Sequence, residues 1–177
     1  INRKKDRITE NHVIPSKLMI SAQSGRQYLM AYAPRFRRIT SFRTDKIISA
    51  KTNEVSEQFD EMQKVFEGIR PHIWGVSTTS WSGERMGHVD FTVRYGEDEQ
   101  YIPRRLEREK QCGMVEHLDS NTCRFTADVF DTSELIPWIR TFICRITDIH
   151  FSDQALEEQF KNDIKAMYEL YGLGGEA

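Results

Sequence analysis

The sequence has few cysteines and none of the short motifs that mark common catalytic sites. Its three cysteines among 177 residues are Cys112, Cys123 and Cys144, and they form no C-x-x-C pair. Zinc and dithiol chemistry are therefore not indicated. G-x-S-x-G, P-loop and G-x-G-x-x-G motifs are also absent, and no two carboxylates share an apolar setting. These absences predict a protein that is not an enzyme and that holds no cofactor or metal.

Long apolar runs are lacking as well. The longest is far shorter than a bilayer-spanning helix requires, and no signal-peptide pattern opens the sequence. Three widely spaced cysteines are typical of a reducing compartment. We therefore expect a cytoplasmic protein with no membrane partner. Because the first residue is Ile1 and not Met, we also expect that a further segment precedes it.

Charge is distributed unevenly along the chain. Residues 1–51 contain 12 Lys and Arg against 3 Asp and Glu, a net charge of +9. The remaining residues contain 13 Lys and Arg against 24 Asp and Glu, a net charge of −11. The total of −2 therefore conceals a basic segment and an acidic one, which is the kind of asymmetry that indicates a charged partner.

The basic segment has the pattern of short strands. Apolar residues predict strands over 12–23, 27–33, 37–43 and 46–51, and Pro15 predicts that the first is an edge strand or contains a bulge. Ile39 and Phe42 are expected in the core, which requires a bulge near Thr40 or Ser41. Four closely spaced strands predict a small barrel. A helix is expected over 55–69, where apolar residues recur at helical spacing.

The rest of the chain predicts a second unit. Residues 73–87 are rich in Ser, Thr and Gly and are expected to link residues 1–72 to residues 88–177. The second unit alternates strands and helices in the order βαββαβ, with its second helix expected over 134–143. A further helix at the C-terminus is expected to be capped by Ser152 or Asp153 and to carry the apolar stripe Leu156, Phe160, Ile164, Met167 and Tyr168. That order is typical of a ferredoxin-like fold. The predicted fold class is therefore α+β, with a small barrel followed by a ferredoxin-like domain.

An anion is the partner that the basic segment fits best. Guanidinium groups match phosphate oxygens with a planar fork, and a Lys ammonium supplies a point charge. Tyr28 and Tyr32 share one face of their predicted strand and either stack a base or fill the core. The alternative is that the acidic half of the chain neutralises the basic surface. The basic side chains from Gly25 onward are Arg26, Arg35, Arg37, Arg38, Arg43, Lys46 and Lys51.

Several of these residues fall in an order that resembles the WYL domain. The matching runs are Val13-x-Pro15-x-x-Leu18, Gly25-x-Gln27-Tyr28-Leu29-x-x-Tyr32 and Phe42-Arg43-x-Asp45-Lys46-Ile47. Gln27 stands where that family has its name-giving Trp, and Lys46 replaces an Arg. The second half resembles the WCX extension of such proteins through Val89-x-Phe91-x-Val93, Gly113, Glu134-Leu135-x-x-Trp138-Ile139 and Met167-Tyr168-x-x-Tyr171.

The resemblance implies an Sm-like, SH3-type barrel before the ferredoxin-like domain. It also implies the effector-binding part of a bacterial transcriptional regulator, whose winged helix-turn-helix would lie upstream and contact promoter DNA as a homodimer. The implied ligand is a nucleotide or single-stranded nucleic acid in a basic pocket. Its candidate residues are Tyr28, Arg43 and Lys46, followed by His12, Arg26 and Arg38.

Two other functions remain open from the sequence. The chain is an interaction or dimerisation module without a small ligand if the basic surface docks an acidic protein. It is a nuclease if the basic groove holds a metal, although no cluster of carboxylates supports that alternative.

Overall fold

The described residues form two antiparallel sheets, four α-helices and several 3₁₀ turns, which confirms the mixed α+β class. The computed structural model describes residues 8–21, 24–52, 55–79 and 86–172. Its strands are β1 Ile14–Ile20, β2 Gln27–Ala33, β3 Arg38–Arg43, β4 Gly87–Arg94, β5 Met114–Asp119, β6 Thr122–Val129 and β7 Ile146–Phe151. Its helices are α1 Phe59–Ile69, α2 Tyr101–Glu109, α3 Ile136–Ile139 and α4 Gln154–Leu170.

The first sheet has the order β1-β2-β3, with β2 in the middle. The prediction for Pro15 is confirmed on both points, because β1 is an edge strand and its register with β2 shifts between Pro15 and Lys17. A proline has no N–H to donate, and the edge and the bulge are the places where a sheet tolerates that loss.

The pairing of β2 with β3 is uninterrupted, so the bulge expected near Thr40 or Ser41 is wrong. Without a bulge, Ile39 and Phe42 project to opposite faces of the sheet. Ile39 lies in the core as predicted, whereas Phe42 is half-buried on the other face beside Leu29.

The fourth strand expected over Lys46–Lys51 is also wrong. Thr44–Lys46 forms a single 3₁₀ turn, in which the N–H of Ile47 donates to the carbonyl of Thr44. The following residues up to 52 pair with no strand of the described chain, and Ile48 is 64% exposed. The described part of this unit is therefore a three-stranded sheet with a helix, and a closed barrel is not confirmed.

Helix α1 covers one face of the first sheet. Its buried residues Met62 and Phe66 pack against Met30, Tyr32 and Ile39. The helix begins at Phe59, later than the predicted Val55. The buried face follows from the alternation of β2, which directs Met30 and Tyr32 to the same side.

The predicted linker begins as a packed connector. Ile73 is buried in the first core, and the next residue, Trp74, packs against Phe125 and Trp138 of the second core. The hydroxyl of Thr78 donates to the carbonyl of Ile39 on β3 at 3.1 Å. Residues 80–85 of the predicted linker lie outside the described residues.

The second sheet has the order β5-β6-β4-β7, and every neighbouring pair is antiparallel. The elements follow the predicted order βαββαβ, with α4 at the end. One face of the sheet builds the larger core, in which the following side chains are buried: Val89, Phe91, Val93, Cys123, Phe125, Val129, Leu135, Ile139, Phe142, Phe151 and Phe160.

Two predicted helices of the second unit need correction. The helix expected over 134–143 is broken into a 3₁₀ turn over Thr132–Leu135, the short α3 and a second 3₁₀ turn over Arg140–Phe142. In α4, Asp153 is the N-cap, as predicted, and Phe160 is buried. The expected apolar stripe does not continue to the end, because Met167 and Tyr168 are 40% and 50% exposed. Among the described residues, no helix combines the length and apolarity needed to cross a bilayer.

Candidate anion-binding site

The fold separates the six predicted ligand-binding residues into two groups. Tyr28 and Arg43 face each other across β2 and β3, and Lys46 lies in the turn that follows β3. Arg26 immediately precedes β2, and the hydroxyl of Thr44 donates to the carbonyl of the next residue along, Gln27. These four predicted residues therefore come together at one end of the first sheet.

The other two predicted residues belong to the opposite end. Arg38 begins β3 opposite Ala33, and Arg43 lies five residue steps further along the strand, a distance of roughly 17 Å. His12 precedes β1, whose first residue pairs with Tyr32 close to that same end. His12 and Arg38 are consequently not part of a pocket that contains Tyr28 and Arg43.

Arg43 forms a two-pronged ion pair with Asp45. Its Nε donates to Oδ1 at 3.0 Å and its Nη2 to Oδ2 at 2.6 Å. This bond is the largest cause that raises the pKa of Arg43 and lowers the pKa of Asp45. The fork that the sequence analysis assigns to phosphate is therefore already occupied by a carboxylate of the same chain.

Asp45 is surrounded by more positive charge than it neutralises. After Arg43, the charges of Lys46 and Arg26 also lower its pKa. Neither Lys46 nor Arg26 has a carboxylate within the 4.0 Å of a salt bridge among the described residues. We call Arg26, Arg43, Asp45 and Lys46 the Asp45 cluster. Three cations and one carboxylate leave it with an excess of two positive charges near a half-buried tyrosine, Tyr28.

The two tyrosines of β2 have different environments. Tyr32 is 1% exposed and belongs to the core, so the core-filling alternative is confirmed for it. Burial is the main cause that raises its pKa, and Glu61 of α1 adds to the shift. Tyr28 lies on the same face but is only half-buried. Tyr28 is therefore the tyrosine that a ligand can reach.

Asp45 is the functional residue that the sequence analysis underestimated. It lies in the turn after β3, where its carboxylate accepts two hydrogen bonds from Arg43, a pair that the residue patterns quoted above do not include. An Arg-x-Asp spacing across a tight turn is the signal that predicts such a pair, because the turn brings residues i and i+2 to the same side.

An open cleft of about 1060 Å³ lies at the end of the second sheet. Its lining includes Arg94, Glu97 and Asp119, together with a close pair between Arg145 and Glu99. Arg145 lowers the pKa of Glu99, which shows that the two charges stabilise each other. The charged residues that line the cleft are of both signs, and none of the predicted site residues lines it. The cleft is therefore not part of the anion site. No group of His, Cys, Asp and Glu among the described residues has the geometry of a metal site.

The comparison of the chain with protein-family models finds no matching family, and the comparison with curated proteins finds no matching relative. The resemblance to the WYL domain therefore stays an expectation that depends on the runs of residues quoted above.

Proposed function

We propose that the chain is the ligand-sensing part of a bacterial transcriptional regulator, and that it binds a nucleotide or single-stranded nucleic acid through the Asp45 cluster. The observation that carries the proposal is the excess of two positive charges around Asp45, next to the accessible ring of Tyr28. A phosphate neutralises Lys46 and Arg26, and it competes with Asp45 for the fork of Arg43. A base is then within reach of Tyr28 for stacking.

The connector supplies a route by which binding is relayed. Thr78 holds the carbonyl of Ile39 on β3, the strand that ends at Arg43. Three residues earlier, the N–H of Gly75 donates to the carboxylate of Glu134, which precedes α3. A displacement of β3 therefore reaches the second unit through two hydrogen bonds. The same proposal includes a DNA-binding segment outside the residues of this sequence, which contacts promoter DNA.

The finer fold assignment also belongs to this proposal. The element order βαββαβ and the strand order β5-β6-β4-β7 support a ferredoxin-like second unit. An Sm-like barrel for the first unit has less support, because the described residues supply three strands of it.

A titration of the full chain with a fluorescein-labelled single-stranded 12-mer and with a labelled mononucleotide tests the proposal. Arg26→Gln with Lys46→Gln is the diagnostic double variant, because neither side chain forms an ion pair with another described residue that its loss would disrupt. We expect its affinity to fall about tenfold and its salt dependence to flatten. Arg104→Gln is the control, since Arg104 is exposed on α2 and belongs to the other unit. Equal affinity of the double variant and the wild type, or no binding by the wild type, would contradict the proposal.

One observation favours the second candidate function, a dimerisation module without a small ligand. The face of the first sheet opposite α1 carries a row of apolar residues, Leu18, Leu29 and Phe42, in which Leu18 is 68% exposed. If a second copy covers this row, Leu18→Ser lowers the molar mass measured by light scattering and leaves oligonucleotide binding intact. An unchanged molar mass would argue against this candidate.

A further inference from the structure

The turn between β2 and β3 presents an exposed aromatic ring between two arginines. Phe36 is 58% exposed, and the guanidinium carbons of Arg35 and Arg38 lie 5.6 Å and 5.3 Å from the centre of its ring. We call these three residues the hairpin tip. It lies at the opposite end of the first sheet from the Asp45 cluster, and its arginines are on the surface.

Arg37, which lies between these two arginines in the sequence, has a different role in the turn. Arg37 has a φ of 49°, in the left-handed region, and its N–H donates to the carbonyl of Pro34 at 3.2 Å. Its Nε and Nη2 donate to Oε1 of Glu61 on α1 at 3.2 Å and 3.0 Å. Arg37 therefore anchors the turn to the helix. Neither Arg35 nor Arg38 has a carboxylate at salt-bridge distance in the described part of the chain.

We propose that the hairpin tip is a stacking platform for single-stranded nucleic acid. A guanidinium that lies on an aromatic ring keeps an outer face on which a base stacks, and its N–H groups remain available to phosphate oxygens. Stacking needs no particular base, because every base has a π-face. The platform is therefore expected to bind without sequence preference. It is independent of the Asp45 cluster, about 17 Å away along β3.

Single-stranded nucleic acid fits the tip better than the other polyanionic surface, an anionic membrane. An aromatic ring that binds a membrane is buried among lipid chains. Burial of Phe36 in this way would either separate its ring from both guanidiniums or place the two charged guanidiniums in the bilayer, which is costly. A stacked base leaves the contacts between the ring and the arginines in place. The arrangement therefore favours a ligand with both π-faces and phosphates.

Fluorescence anisotropy with two probes of equal length tests the platform. One probe is a single-stranded 12-mer, and the other is an abasic 12-mer with the same phosphates. Phe36→Leu is expected to weaken binding of the base-containing probe about tenfold and to leave the abasic probe unchanged. Arg35→Gln with Arg38→Gln is expected to weaken both probes and to reduce the slope of log affinity against log salt by about 1.4. Arg104→Gln serves again as the control for loss of an exposed positive charge in the other unit.

The outcomes separate this platform from the Asp45 cluster. If Phe36→Leu binds both probes as the wild type does, while the variant of Arg26 and Lys46 binds weakly, the platform is wrong and the cluster stands. If Phe36→Leu weakens binding of the base-containing probe while the variant of Arg26 and Lys46 binds as the wild type does, the platform is supported and the Asp45 cluster is wrong. If the wild type binds neither probe, the platform is wrong, and the cluster is wrong as well if the labelled mononucleotide also fails to bind. Stronger, Phe36-dependent binding to vesicles of phosphatidylserine and phosphatidylcholine would overturn the platform in favour of a membrane contact.

Discussion

Arg124 of β6 holds the buried carboxylate of Asp90 on the neighbouring strand β4. Both Nε and Nη2 of Arg124 donate to Oδ1 of Asp90, at 3.2 Å and 2.7 Å. Asp90 is 7% exposed, and the ring of His88 lies near its other oxygen at 3.5 Å. A charge in that position needs partners, because burial removes its water. The stability of the outer face of the second sheet therefore depends on the ion pair between Arg124 and Asp90.

Replacing Arg124 should destabilise the protein more than replacing Asp90. Arg124→Met leaves Asp90 buried without its main cation and is expected to cost roughly 2 kcal/mol. Asp90→Asn leaves Arg124, which is half exposed, in contact with water, so the loss is expected to be smaller. Urea denaturation of both variants measures the difference. Equal losses in the free energy of unfolding of the two variants would show that the carboxylate of Asp90 depends less on Arg124 than its burial indicates.

Two glycines should respond in opposite directions to alanine. Gly113 has a φ of 83°, and a Cβ there would lie 2.6 Å from the backbone oxygen of Thr126. Gly113→Ala is therefore expected to destabilise the fold by about 2 kcal/mol or more. Gly68 is exposed in α1 with open space around it, so Gly68→Ala should stabilise by about 0.5 to 1 kcal/mol. Thermal denaturation checks both signs, and a stable Gly113→Ala variant would contradict the assigned backbone conformation.

Glu157 should make the stability depend on pH in the acid range. Lys161, the N–H of Phe151 and the ring of His150 lower the pKa of Glu157 from its ordinary 4.5 to about 2. The folded state thus binds this proton less readily than the unfolded state, and the stabilisation is complete above pH 4.5 and lost as the pH falls towards 2. Glu157→Gln should cost about 1 kcal/mol at pH 7 and much less at pH 3.

The exposed neighbour Glu158 supplies the control for that measurement. Glu158→Gln removes the same charge from the same helix turn, and it should leave the urea midpoint nearly unchanged at both pH values. A Glu157→Gln variant that loses equal stability at pH 7 and pH 3 would show that packing and not charge is responsible.

Removing the carboxylate of Asp45 should strengthen anion binding. Asp45→Asn releases the fork of Arg43 and increases the local excess of positive charge, so affinity for the single-stranded 12-mer is expected to rise about three- to tenfold. Asp60→Asn changes the net charge of the chain by the same amount at an exposed position on α1 and is the control. A rise of equal size in both variants would indicate a general charge effect and no role for Arg43.

The sequence alone determined the elements whose signals are local. The alternation of β2 predicted its bounds, and Pro15 predicted that β1 is an edge strand or contains a bulge. Asp153 was among the predicted caps of α4. In each case the physical cause acts within a few residues: side-chain periodicity, a missing N–H, or a carboxylate that accepts from the first helical turn.

The tertiary structure alone decided which of the candidate residues lie together. The position of His12 far from Tyr28, and that of Tyr28 opposite Arg43, follow from strand pairing and register, which depend on contacts between distant segments. The distance between Arg38 and Arg43, in contrast, is the length of their own strand. The fourth strand failed because pairing decides it as well, since an apolar run becomes a strand only when a partner edge accepts it.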